Sequence, residues 1–277
     1  MGDVVQYPQG CARPRSTVGP RPPGVWGLDI GATKVALGTT AESGVKVRAT
    51  VATPPSPEGL LPWLRSRLPH RLDGLGVAFP GGLDGHERVT SWPNRPAWDG
   101  FPLGKELGQL ASAVVIRDDG EAAALGECRQ GIAAGRRDVM VVVLGTGIGG
   151  AVVIDDRVRA GAAGDPRTLG HVRILGSNGC VCGAMGCAQT ALRSLPSDDG
   201  LGPRLAAWPD GQRLIDFVAD LARILDVQVV LTGGLMERPV LRYETVARLN
   251  SLGLIPLVPE HPGRSSLLGA TVLERAA

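Results

Sequence analysis

Residues 25–40 read VWGLDIGATKVALGTT. The β-prone run Val25–Ile30 meets a Gly-Ala-Thr-Lys turn and resumes as a second apolar strand, so the segment reads as a hairpin at the start of a sheet. Residues 138–155, DVMVVVLGTGIGGAVVID, repeat the design of strand, glycine turn and strand. Residues 227–235, VQVVLTGGL, form a buried strand that also ends in glycines. Around these anchors lie a strand at Val45–Val51, a helical face through Leu60, Leu61, Leu64 and Leu68, and the short strand GLGVAF at 74–79. A helix near Leu103–Ala111, the strand AVVIRDD at 113–119 and the helix GEAAALGECRQGIA at 120–133 follow. In the last third, QRLIDFVADLARIL (212–225) sets Leu214, Ile215, Val218, Leu221, Ala222 and Leu225 at helical spacing. A further helix, the strand LIPLVP (254–259) and the helix SSLLGATVLERAA (265–277) close the chain, and LPSDDGLGP (195–203) reads as an exposed linker. Strands alternating with helices, twice over, predict two α/β lobes.

Composition agrees with a globular protein: 43% hydrophobic and 20% charged residues in 277, with 40 glycines and 22 prolines for tight turns. The net charge of +2, with basic residues scattered among acidic ones, leaves no footprint for nucleic acid. Residues 1–24, rich in Pro, Arg and Gly, carry no apolar core of signal-peptide length and are expected to be a mobile tail. No apolar run approaches the ~20 residues that cross a bilayer. Five cysteines, some at C-x-C spacing, are a poor disulfide framework and point to a reducing cytoplasm.

Each glycine turn lets backbone amides approach an anion with no Cβ in the way, although any one of them would also serve as a plain hairpin or helix-entry turn. Three in this order are a stronger sign of phosphate binding. None is a Walker A loop or a G-x-G-x-x-G turn opening a helix. IRDDGEAAALGE places Asp118 and Asp119 at a strand end before a helix, where they can cap it or supply a carboxylate that takes a hydroxyl proton. HVRILGSNGCVCGAMGC (171–187) gathers His171, Cys180, Cys182 and Cys187, and three thiolates with one imidazole complete a closed tetrahedral Zn²⁺ site. Metal would order a loop too rich in Gly, Ser and Asn to have its own apolar core. Cys11 and Cys128 are left over, with no role expected of them.

DIGATK (29–34), PNRPAW (93–98), DDGEAAALGE (118–127), GTGIGG (145–150), GH (170–171) and CVCGAMGC (180–187), in this order, resemble the ROK family of sugar kinases within the actin/hexokinase-like superfamily. The resemblance covers residues 25–277. It implies an α/β, two-lobed actin-like ATPase (ribonuclease H-like) fold, with lobes at 25–118 and 119–263 and the final helix, about 264–277, packing back onto the first. It further implies ATP and Mg²⁺ in a cleft between the lobes, with the sugar beside them, and a homodimer, which is common in the family. By the resemblance, Asp29, Ala32, Thr33 and Lys34 belong to the first phosphate turn, with Asp29 near Mg²⁺. Gly145, Thr146 and Gly147 form the second phosphate turn, and Gly233 and Gly234 lie on the adenosine side. Asp119 is the catalytic base. Asp118, Gly82, Thr168, His171 and Gln189 belong to the sugar site, His171 through its second ring nitrogen.

The chain departs from the family pattern where the sugar is read. Ala32 replaces a usual glycine, Thr168 and Gln189 replace usual glutamates, and Asp118 replaces a usual asparagine. A carboxylate at 118 suits an ammonium, because a charge-assisted hydrogen bond is worth ~1.5–3 kcal/mol against about 1 for a neutral one. The expectation is therefore a 6-kinase for an aminosugar with its amine at carbon 3, kanosamine. The alternatives are a glucokinase of the family and a non-catalytic sugar-sensing protein. The interval from Cys187 to VVLTGG is short for the family, so helices over the adenosine side or at an oligomer surface are expected to be trimmed.

Overall fold

A computed structural model describes residues 25–69, 71–159, 169–176, 178–197 and 203–273. The expected tail, Cys11, Thr168, residues 198–202 of the expected 195–203 linker and residues 274–277 lie outside them.

The chain opens with β1 (Trp26–Ile30), β2 (Lys34–Ala41) and β3 (Gly44–Ala52), an antiparallel meander. Helix α1 (Leu60–Arg65) buries Leu60 and Leu64 and leads to β4 (Leu72–Ala78), which runs parallel to β1. A small hairpin, β5 (Gly82–Leu83) and β6 (Val89–Ser91), and α2 (Leu103–Leu107) precede β7 (Ala111–Arg117), parallel to β4. The resulting sheet has the order β3-β2-β1-β4-β7. Helix α3 (Asp119–Arg129) then carries the chain to β8 (Val139–Leu144), β9 (Ile148–Ile154) and β10 (Arg157–Val158). After the cysteine-rich segment come α4 (Pro209–Leu225), β11 (Gln228–Thr232), α5 (Pro239–Ser251) and α6 (Ser265–Ala270). The second sheet has the order β10-β9-β8-β11, with β11 parallel to β8. Both sheets thus begin with a hairpin closed by a glycine turn, as the sequence predicts.

Each sheet has its own core. Leu28, Leu37, Val77 and Trp98 are sealed in the first. Met140, Val142 and Leu231 are sealed in the second, beneath the face of α4 formed by Leu214, Ile215, Val218 and Ala222. Where the two meet, α6 lies on β1 and β4 and crosses α3. The crossing is close because it is made of small residues. A Cβ on Gly269 would fall 1.7 Å from the Ala122 carbonyl oxygen, and one on Gly126 would fall 2.5 Å from the Gly269 nitrogen.

Four expectations change, the first being the closing helix expected over 265–277, which ends at Ala270 and is followed by a turn at 271–272. LIPLVP is not a strand: only Leu257 bridges to β11, through hydrogen bonds of 2.9 Å with Val229 and Leu231. Pro256 and Pro259 lack the amides that a ladder needs. The helix expected over 103–111 ends at Leu107 with Gly108 behind it, and β7 already begins at Ala111. The helix expected over 120–133 ends at Arg129, ahead of Gly131, whose close contact with Glu127 leaves no room for a Cβ. Among the described residues no helix is long and apolar enough to cross a membrane.

Candidate active site

Gly31, Ala32 and Thr33 join β1 to β2, and every carbonyl among them is engaged from the same lobe. The Thr53 hydroxyl donates to Gly31 O at 2.5 Å, Arg95 Nη2 donates to Ala32 O at 2.7 Å, and the Thr53 amide donates to Thr33 O at 3.0 Å. The amides of Ala32 and Thr33 have no acceptor among the described residues. Gly145, Thr146 and Gly147 join β8 to β9, closed by a 2.9 Å bond from Gly145 N to Gly147 O. The Thr33 and Thr146 hydroxyl oxygens lie 3.0 Å apart, so the first two glycine turns meet across the cleft. Gly233 sits at φ 97°, and a Cβ there would fall 2.3 Å from Leu144 O. Only glycine fits that approach, which brings the third turn against the second.

A carboxylate cluster lies nearby. Asp29 is the last residue but one of β1, and its carboxyl is pushed from 3.8 up to about 7 by burial, then by the charge of Asp119, with Lys34 pulling the other way. Asp119 is the first residue of α3. Its carboxyl is raised by burial, against hydrogen bonds from the Gly120 amide and its own. The Ser266 hydroxyl of α6 donates to the Asp119 carbonyl at 3.1 Å. Gly149 of β9 faces the Asp119 side chain, since a Cβ there would lie 3.9 Å from Oδ1.

Asp118 is the N-cap of α3. Its Oδ1 accepts from the Gly120 and Glu121 amides at 2.9 and 3.2 Å, while Oδ2 has no partner among the described residues. Burial and the Asp119 charge push the Asp118 carboxyl up to about 7. It lines a hollow of about 110 Å³ with Glu121, Val152, Arg159 and Leu169. Burial raises the Glu121 carboxyl too, opposed by Arg117. Sequence reading missed Glu121 because Asp-x-x-Glu at a helix start already reads as a capping box.

The metal corner assembles. The donor atoms of His171, Cys180, Cys182 and Cys187 lie within 4.8 Å of one another. Cys180 Sγ is 3.7 Å from His171 Nδ1, and the Cys182 and Cys187 sulfurs are 3.6 Å apart. Zn–S bonds of ~2.3 Å in a tetrahedron require sulfurs ~3.8 Å apart, so the set fits zinc. The described cysteines are free thiols. Burial pushes the Cys180 thiol up, but the Cys182 amide and Gln189 outweigh it and bring the group down to about 6. Two glycines at positive φ, Gly183 at 83° and Gly186 at 74°, turn the loop, and Ile174 and Leu175 both donate to Gly186 O at 2.9 Å.

Of the residues expected at the sugar, Asp118 lines the hollow, and Gly82 pairs with Ser91 in the β5–β6 hairpin. His171 is exposed, with Nδ1 turned to Cys180. The Gln189 side-chain amide donates to Cys180 Sγ at 3.1 Å, which makes it a neighbour of the metal corner.

A sequence profile described as the ROK family matches residues 25–211. The chain is 36% identical over 183 residues to a kanosamine kinase of Amycolatopsis mediterranei (62% of this chain, 59% of that protein). It is 31% identical over 169 residues to a glucokinase of Streptomyces coelicolor (58% of this chain, 53% of that protein). The matched stretch is therefore little more than half the length of these two relatives. A ROK family glucokinase from Streptomyces griseus, solved with glucose and AMPPNP, superposes with a TM-score of 0.70 at 25% identity, covering 91% of this chain and 99% of that one. The architecture is the two-lobed, actin-like ATPase fold.

Proposed function

The chain belongs to the ROK family, and from that premise we propose that it is an ATP-dependent kinase acting on the 6-hydroxyl of a hexose, with kanosamine as the preferred acceptor. The observation that carries the reading is Asp119, a half-buried residue at the start of α3 whose charge acts on Asp29 and whose side chain faces Gly149, just past the 145–147 turn. A carboxylate in dry surroundings is a stronger base than one in water.

In this reading an Asp119 carboxylate oxygen takes the proton of the sugar hydroxyl as the hydroxyl oxygen bonds to phosphorus and the bond from phosphorus to the departing nucleotide oxygen breaks. The free amides of Ala32 and Thr33, with Lys34 and the 145–147 turn, hold the phosphates, and Gly233–Gly234 flank the adenosine. Asp29 would hold Mg²⁺, which neutralises phosphate charge when bound. His171, Cys180, Cys182 and Cys187 would hold Zn²⁺ with no open coordination position, so the corner braces the sugar wall and takes no part in chemistry. Free thiols in such a corner suit a reducing cytoplasm. Residues 25–118 and 119–263 act as the two lobes, closing on substrate to exclude water.

Kanosamine is favoured by the 36% identical relative and by Asp118, whose free Oδ2 and neighbour Glu121 offer negative charge to an ammonium. Glucose is the second reading, supported by the 31% identical glucokinase and the glucokinase structure. Steady-state ADP release with kanosamine, glucose, glucosamine and N-acetylmannosamine decides between them. The expected result is the highest kcat/KM for kanosamine, moving toward glucose in Asp118→Asn. Asp119→Ala should lose on the order of 10²–10⁴-fold in kcat. A clear preference for glucose removes the amine reading, and a failure to release ADP with any of the sugars leaves a sugar-sensing protein.

A further inference from the structure

Arg95 is carried between two tryptophans that leave its loop little freedom. Trp92 and Trp98 are 2% and 0% exposed, and their rings meet edge to face at 5.0 Å, flanked by Phe79 and Phe101. Both backbone polar groups of Arg95 are used: its amide donates to Trp92 O at 2.7 Å, and its carbonyl accepts from Trp98 N at 2.9 Å. Trp98 Nε1 ties the loop to Pro54 O at 3.2 Å. A side chain launched from so fixed a backbone has few places to go, and this one ends on the first glycine turn, with Nη2 on Ala32 O at 2.7 Å.

Placing a half-buried arginine for this single contact is costly. Arg95 Nε is buried with no acceptor among the described residues, a state that folded proteins rarely tolerate without a reason. No carboxylate is hydrogen-bonded to the guanidinium among the described residues, so an ion pair does not explain its place. What the contact does is geometric. No peptide among the described residues is cis, so the Ala32 carbonyl and the Thr33 amide point in opposite directions. Holding the carbonyl on Arg95 aims the amide away from it. Thr53 fixes the neighbouring peptides in the same way, through Gly31 O and Thr33 O.

We propose that Arg95 is a positioning residue for the nucleotide: by holding the Ala32 carbonyl it turns the Thr33 amide into the cleft as a phosphate donor. The proposal rests on the kinase reading and adds to it a residue outside both glycine turns and the acid pair. Oriented amides bind anions well only if their orientation is set before the anion arrives, because turning a peptide on binding subtracts from affinity. Arg95 acts through Ala32 and need not touch the phosphate.

Calorimetric titration of Mg²⁺ with a non-hydrolysable ATP analogue tests this on the full, zinc-loaded chain. Arg95→Met keeps the length of the side chain and removes its donors. It should weaken analogue binding about tenfold or more, the scale of lost orientation, while the KM for sugar stays within about twofold and the melting temperature hardly moves. Arg95→Lys, which keeps one donor, should recover most of the loss. Should Arg95→Met fold poorly, Thr53→Val removes the hydroxyl on Gly31 O and should weaken the analogue selectively. Wild-type affinity in these variants, or equal losses for sugar and nucleotide, overturns the proposal. Wild-type protein that binds no analogue overturns the kinase reading along with it.

Discussion

Asp118 uses its two oxygens differently, and the difference can be measured. Oδ1 caps α3, whereas the carboxyl as a whole sits buried beside Asp119. Replacement by alanine removes both the cap and an unfavourable charge, so its net effect mixes two signs. Asparagine removes the charge and keeps a capping oxygen. Asp118→Asn should therefore be more stable than Asp118→Ala by about 1 kcal/mol, a gap of ~2–4 °C in thermal melts. Equal melting temperatures would mean that the cap contributes nothing. In the sequence, capping and chemistry are competing readings of Asp118–Asp119, and the structure makes them compatible. Arg95 was legible only as part of PNRPAW, because nothing in a linear motif says that residue 95 reaches residue 32.

Among elements, the crossing of α3 and α6 is the most demanding. Glycine inside a helix ordinarily loses ~1 kcal/mol to alanine, so Gly269→Ala should stabilise if propensity ruled. The added Cβ would instead lie 1.7 Å from Ala122 O, and backbone cannot step aside as a side-chain tip can. Overpacking of ~1–3 kcal/mol or more should dominate, lowering the urea midpoint of Gly269→Ala. Gly85→Ala, with nothing within 4 Å, should stay within about 0.5 kcal/mol of wild type. A stabilised Gly269→Ala would mean that the helices are not in backbone contact. Small residues in EAAALG and SSLLGA hint at close packing, yet the sequence does not say that they pack on each other. Element types were readable wherever alternation or helical spacing ended at a glycine. LIPLVP misled because its apolar residues fit a strand while its prolines forbid the ladder.

At the scale of the whole molecule, the buried acids tie stability to pH. Asp29 and Asp118 bind protons more tightly when folded than when unfolded, with carboxyls at about 7 against 3.8, and Asp119 is shifted in the same direction. Stability is therefore lost as pH rises from about 3.8 through about 7 and levels off above that, where these carboxyls are ionised in both states. Zinc-loaded, nucleotide-free protein should melt higher at pH 6 than at pH 8, and Mg²⁺ with nucleotide should narrow the gap by supplying positive charge in place of protons. A melting temperature flat or rising from pH 6 to 8 would contradict the burial of these groups. Two lobes were legible because the strand–turn–strand pattern recurs, whereas the joint between them was not. That joint has a mechanical corollary. Asp119 opens α3, and the Ser266 hydroxyl of α6 donates to its carbonyl, so under the proposed lobe closure the proposed base would ride near the pin of that motion. Points beside a pin hardly travel. Opening the lobes would then sweep the glycine turns through an arc while Asp119 kept its place.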